Sequence, residues 1–139
     1  MNEVKDDLKR EKVRIVEISK IQDFPDHPFL VKEDESMDQL VNSIRMNGVL
    51  NPVIARRVAD EHYELISGHK RKRACILLRI DRMPLIGRDM TREEAVIEMV
   101  DSNLQREHIL PSEKTKAYKM KMETLKRKAG RPSKQEQQA

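Results

Sequence analysis

The sequence predicts an α/β fold, a small mixed sheet flanked by helices and followed by a C-terminal helical extension. Three observations lead there. Short β-branched runs alternate with longer segments whose apolar residues recur at helical spacing. Two of the longer segments open with capping signatures, Ser36 with Gln39 and Thr91 with Glu94. The 139 residues are 37% hydrophobic and 37% charged, with only two Phe and two Tyr, which is apolar surface for one modest core but not two.

The elements follow in order. Residues 1–12 are charged and aperiodic and read as a flexible arm. A β-branched strand occupies 13–18, and Pro25 and Pro28 make 23–28 a loop. Met37, Leu40, Val41 and Ile44 share one helical face, and Gly48 ends that helix as a left-handed residue. Strands over 52–56 and 63–66 are joined by a polar turn at Asp60 and Glu61. A helix over about 68–78 turns Ala74, Leu77 and Leu78 inward, and a short strand covers 83–86. Thr91 opens a helix with Ala95, Ile97 and Val100 on its apolar side. The last helix, 111–128, carries only a narrow stripe of Tyr118, Met122 and Leu125 among lysines. Such a stripe docks weakly on its own chain, or more firmly on a second copy. Residues 129–139 contain no core-forming side chain and read as a disordered basic linker.

Charge is unevenly placed. Up to Ser112 there are 19 Lys and Arg against 21 Asp and Glu, whereas 113–134 holds nine basic residues and two acidic ones. Attraction to nucleic acid is therefore expected at Lys126, Arg127, Lys128, Arg131 and Lys134. Gly130-Arg131-Pro132 has the core of an AT-hook but reads better as solvated linker. Apolar runs are too short to span a membrane, and the N-terminus lacks a secretory stretch, so a cytoplasmic protein is expected. Cys75 is the sole cysteine, which excludes an internal disulfide and a cysteine-rich zinc site. It reads as a buried structural thiol. The four histidines show no metal-ligand spacing.

The segment Ser67-Gly68-His69-Lys70-Arg71-Lys72-Arg73 follows a strand and opens a helix. A helix N-terminus carries partial positive charge and unpaired N–H groups, so four consecutive cations there conflict with the dipole. An anion would relieve the conflict, with Gly68 allowing close backbone approach, and phosphate is the natural candidate. The Gly-Lys-Ser/Thr ending of a Walker loop is absent. Asn103-Leu104-Gln105-Arg106-Glu107, at a helix end, offers amides that can read a base edge or ligate a cation and an arginine for phosphate, although on spacing alone it reads better as a polar helix terminus. Gly48 to Arg56 marks a helix end running into a strand.

These segments, in this order, resemble the N-terminal domain of the ParB family of chromosome- and plasmid-partition proteins. The resemblance begins at His27-Pro28-Phe29 and runs through Gly48–Arg56 and Ser67–Ala74 to Asn103–Glu107 and Leu110–Lys114, about residues 13–125. It implies the ParB/sulfiredoxin-like fold over 13–110, a helical extension over 111–128, and a linker towards a helix-turn-helix domain not in this chain. It also implies a homodimeric clamp on DNA, loaded at a parS-like site, closed by CTP with Mg2+ and partnered by a partition ATPase. The protein would be nucleoid- or plasmid-associated, with the tail pointing to the mobile-element branch. Carried over by position, Gly48, Asn51, Pro52 and Arg56 would line the cytosine and phosphate side. Gly68, His69, Lys70 and Arg71 would hold the triphosphate, and Asn103 and Arg106 would complete the metal and phosphate contacts.

Two departures bear on catalysis. The family's Gly-Glu-Arg-Arg box reads Gly68-His69-Lys70-Arg71, and its Glu-Asn pair reads Ser102-Asn103. Each removes a carboxylate of the kind that holds magnesium or orients water, so binding is expected to outlast weak CTP hydrolysis. Asp101 substitutes only if it points inward. The alternative reading is a non-catalytic, DNA-associated regulatory adaptor with a decayed nucleotide site. A sulfiredoxin-like or kinase-like ATP-using enzyme ranks lower, because the sulfiredoxin reactive cysteine directly follows the glycine, where this chain has His69.

Overall fold

The computed structural model describes residues 11–105 and 109–129. The chain divides into two compact units, one of residues up to Pro25 with Val31–Asp89, the other of Asp26–Leu30 with the residues from Met90 onward.

The first unit contains β1 (Val13–Glu17), a 3-10 turn (Ile18–Lys20), β2 (Ile21–Asp23), α1 (Glu35–Asn47), β3 (Val53–Ala59), β4 (His62–Ser67), α2 (His69–Leu77) and β5 (Arg82–Arg88). Its five strands lie in the order β1-β5-β3-β4-β2. The β1–β5 and β3–β4 pairs are antiparallel, and the β3–β5 and β2–β4 pairs are parallel. The mixed sheet is the expected one, although the strand at Ile21–Asp23 falls where a loop begins in the sequence reading. That strand forms because Ile21 is buried in the core while Gln22 and Asp23 stay exposed.

Alternation along the strands builds one apolar face. Val53 and Ala55 on β3, Tyr63 and Leu65 on β4, and Met83 and Leu85 on β5 bury together with Val16, Ile18, Ile21 and Cys75. Helix α1 packs on α2 through Met37, Ile44 and Ala74, and Val49 and Ile80 touch both clusters. The β3–β4 turn is the expected one at Asp60 and Glu61, with Glu61 in the left-handed region at φ 59°. Further along, Ala55 faces Leu65 while Ile54 faces Ser67, so Ile66 is an extra, buried residue on β4. This bulge re-aims the strand just before α2.

Two local expectations are corrected. The α1 cap is Asp34 and not Ser36: Asp34 Oδ1 accepts the Met37 N–H at 3.2 Å. Both residues can cap, but a carboxylate also interacts favourably with the helix dipole. Leu77 is 43% exposed, and Ala74 and Cys75 take the buried positions with Leu78 half-buried. The cause lies in the exit from the helix, where Ile80 N–H reaches back to Cys75 O at 2.9 Å over a left-handed Arg79.

The second unit is built on α3 (Arg92–Leu104) and α4 (Pro111–Ala129). The expected capping box is present, with Thr91 Oγ1 accepting the Glu94 N–H at 3.1 Å and Glu94 Oε1 accepting the Thr91 N–H at 2.9 Å. On α3 the buried residues are Ala95, Val96, Met99, Val100 and Asn103, while Ile97 is only half-buried. Ala95 and Val100 are buried as expected, and Val96 with Met99 takes the place expected of Ile97. On α4, Glu113, Ala117 and Thr124 are buried, and the Tyr118, Met122 and Leu125 stripe stays exposed. Among the described residues no helix is long and apolar enough to cross a membrane.

Candidate functional site

Strand β4 passes into α2 through Gly68, whose φ of 106° and ψ of 22° belong to the left-handed region. A Cβ at this position would stand 2.9 Å from Val53 Cβ, so glycine is required both by conformation and by space. The room that Gly68 leaves is taken by the first residue of β3. This close approach sets the start of α2 beside the segment leading into β3.

Arg71 completes that junction. Its guanidinium donates to the carbonyl oxygens of Asn51 at 2.7 Å and Pro52 at 2.9 Å. Burial pulls the Arg71 pKa down, yet a guanidinium remains a cation at neutral pH. The segment 48–52 and the turn 68–71 are thus joined by one side chain. Gly48 ends α1 at φ 75° with its N–H on Ile44 O at 2.7 Å, and nothing lies within 4 Å of a Cβ built there. Its glycine answers to conformation alone.

The other cations of the run are held from within the unit. Lys70 Nζ donates to Ser36 Oγ in the first turn of α1. Lys72 pairs with Asp23 at 3.0 Å, and Arg73 pairs with Glu33. The Asp34 carboxyl is held below its ordinary range by the Met37 N–H it caps, with the charge of Lys70 acting in the same direction. The strain that the sequence reading assigns to four cations at a helix start is therefore offset by carboxylates, a hydroxyl and two carbonyls of the chain itself. Asp23, Glu33, Asp34 and Ser36 were not legible as site residues. The available signal was the acidic block Glu33-Asp34-Glu35 facing a basic block of similar length.

The remaining candidates are placed differently. His69, the first residue of α2, is buried at 7% exposure. Arg56 sits on the strand face opposite Val53 and Ala55, where it pairs with Glu64 at 2.8 Å across the β3–β4 ladder. Asn103 on α3 is 6% exposed, and its Nδ2 donates to Met99 O at 2.7 Å, which orients the amide. Asp101 is exposed and bound to Lys121 at 2.7 Å, so it does not point inward. Ser102 Oγ donates to Met99 O at 3.2 Å. Arg106, Arg131 and Lys134 lie outside the described residues. Lys126, Arg127 and Lys128 form the exposed last turn of α4.

Among the described residues no group of three His, Cys, Asp or Glu gathers to hold a metal. Magnesium is compatible with such a lining only in the form where phosphate oxygens and water supply most of its ligands. Cys75 is fully buried, and burial pushes its thiol up, as expected for a structural cysteine.

The profile of the ParB N-terminal domain matches residues 2–104. The chain belongs to the ParB N-terminal domain family. The nucleoid occlusion protein of Listeria innocua is 34% identical over 117 residues, which cover 82% of this chain and 41% of that protein. The chain therefore spans less than half the length of that relative. Among solved structures, the C-terminally truncated chromosome-partitioning protein ParB of Caulobacter crescentus is similar in two complexes. With CTP-gamma-S it is 28% identical at a TM-score of 0.60, covering 83% of this chain and 65% of that one. With the centromeric parS site it is 25% identical at 0.64, covering 81% and 58%. Sulfiredoxin from Arabidopsis thaliana, 21% identical at a TM-score of 0.51, covers 63% of this chain and 97% of its own and shares the fold. The ParB-type α/β fold expected from the sequence is the fold observed.

Proposed function

We propose that this ParB-family domain binds CTP with magnesium and uses it as a dimerisation switch on DNA, within a partition or nucleoid-occlusion protein of a chromosome, plasmid or mobile element. The observation that carries the reading is the junction at Arg71, where one cation links the segment 48–52 to the helix start at 68–71. A nucleotide needs an element for its base and another for its phosphates, and a side chain tying the two makes them respond together. The similar Caulobacter protein, in complex with a CTP analogue, supports the choice of nucleotide. Gly48, Asn51 and Pro52 would face the base, and Gly68, Lys70 and Arg71 the triphosphate. His69 and Arg56, being buried and paired with Glu64 respectively, would serve the frame of the site.

Magnesium would supply charge neutralisation for the phosphates. Asn103 is the residue we assign to it, with Arg106 as a phosphate partner. The chain's own residues bind and orient, and Asp101, held by Lys121, is not a spare carboxylate to activate water. Binding rather than turnover is the working activity, and any CTP hydrolysis would be slow. The exposed α4 stripe suits a second copy of the chain as partner, and Lys126, Arg127 and Lys128 suit DNA phosphates. Reading of a parS-like sequence and engagement of a partition ATPase belong to the whole protein.

Isothermal titration with CTP, ATP, GTP and UTP, with and without magnesium, tests the reading. CTP-selective, magnesium-dependent binding is expected. A second reading, a regulatory adaptor with a decayed site, draws on the internal neutralisation of Lys70, Lys72 and Arg73. Absence of binding to all four nucleotides would establish it in place of the switch.

A further inference from the structure

We propose that Glu33 and Asp34 are a built-in competitor for the phosphates, so that nucleotide binding and release of the 33–36 segment from α2 are one event. The inference rests on the nucleotide reading above and concerns how that site is regulated. Lys70 and Arg73 are three residues apart and share one face of α2. Both are directed at the segment that leads into α1: Arg73 to Glu33, and Lys70 to Ser36 beside the capping carboxylate of Asp34. Lys70 is also the cation that the phosphate reading needs. One ammonium cannot serve a triphosphate and the start of α1 fully at the same time, because each new anionic partner must displace or share the one it has.

The competitor is weak by construction. These groups are solvent-exposed, with side-chain exposure of 41% for Arg73 and 51% for Glu33, and exposed pairs contribute little. Its effect is to set a threshold for the ligand rather than to block it. The segment also carries information elsewhere, since Asp34 caps α1 and α1 is packed on α2 through Met37, Ile44 and Ala74. Withdrawing Lys70 from Ser36 removes the polar link between the starts of the two helices and leaves the apolar one.

The test titrates the full chain calorimetrically with two probes, CTP with magnesium and inorganic tripolyphosphate. Asp34→Asn removes the charge and keeps a capping side-chain oxygen. Glu33→Gln removes the partner of Arg73, and Asp23→Asn makes the same change of charge on Lys72 as a control. Circular dichroism melts confirm that each variant is folded. Asp34→Asn and Glu33→Gln should each tighten both probes about two- to fivefold, and Asp23→Asn less. Unchanged or weaker binding in the first two, or equal tightening in all three, would overturn the competitor. Tripolyphosphate tightened by the variants while CTP binds none of them would keep the competitor and remove the nucleotide reading. No binding of either probe to any variant would overturn both.

Discussion

The guanidinium of Arg71 donates to the backbone carbonyls of both Asn51 and Pro52, so the start of α2 holds the approach to β3 by its main chain. Truncating Arg71 leaves the partly buried Pro52 carbonyl and the exposed Asn51 carbonyl short of a donor, which costs about 1–3 kcal/mol. Lys72, the next residue, pairs with the more exposed carboxylate of Asp23. Arg71→Ala should therefore lower both stability and nucleotide affinity, whereas Lys72→Ala should change stability by less than about 1 kcal/mol and affinity little. Urea denaturation and titration on the same preparations check this. Equal losses from both would indicate diffuse charge attraction.

Gly68 gives a sharper test of geometry. Gly68→Ala combines a left-handed φ with collision against Val53 and should destabilise by about 2–4 kcal/mol. Adding Val53→Ala removes Cγ1, the nearest colliding atom, but leaves Val53 Cβ at 2.9 Å and the strained backbone. The double variant should thus be more stable than the sum of the singles by about 1 kcal/mol. Strict additivity would show that the contact at Val53 does not set the cost.

The pH dependence has a defined sign at Glu11. Two hydrogen bonds from Arg88, both 2.7 Å, hold this carboxyl below its ordinary value of 4.5. The unfolded chain then binds the proton more readily than the folded one. The contribution is present above about pH 4.5 and is lost as pH falls through the lowered folded value. Wild type should exceed Glu11→Gln by less than about 1 kcal/mol at pH 7, and the gap should narrow as the pH falls below 4.5. A gap that widens in acid would contradict the pairing.

Cys75 should resist thiol reagents at pH 7–8 while the chain is folded, because it is buried and its thiol is pushed up. Labelling should follow the unfolding curve in urea. Rapid labelling of the native chain would reopen a reactive-cysteine reading.

Much of this was legible in the sequence, for reasons that differ by residue. Gly48, Gly68 and the Thr91–Glu94 box act through local backbone demands, and local demands are written in adjacent residues. The exposed Tyr118 stripe was legible because its narrowness is itself a pattern. The cap of α1 was misplaced because Asp34 and Ser36 satisfy the same local rule. Leu77 was misplaced because the turn after it, not helical periodicity, decides which side is covered. The partners of the basic run were hidden by distance: Glu33 and Arg73 are 40 residues apart, and no spacing rule reaches that far.

The order of the strands has a mechanical outcome. β1 and β2 occupy opposite ends of the sheet, yet only Ile18–Lys20 joins them. A chain covers at most about 3.6 Å per residue, which keeps Glu17 within about 14 Å of Ile21. Five strands laid flat would set those ends about 19 Å apart. The sheet must accordingly curl so that its two outer strands approach each other at that end, where a three-residue clasp limits how far they can spread. Force applied to β1 is carried through the clasp to β2 and β4, and β4 is the strand that hands the chain to Gly68.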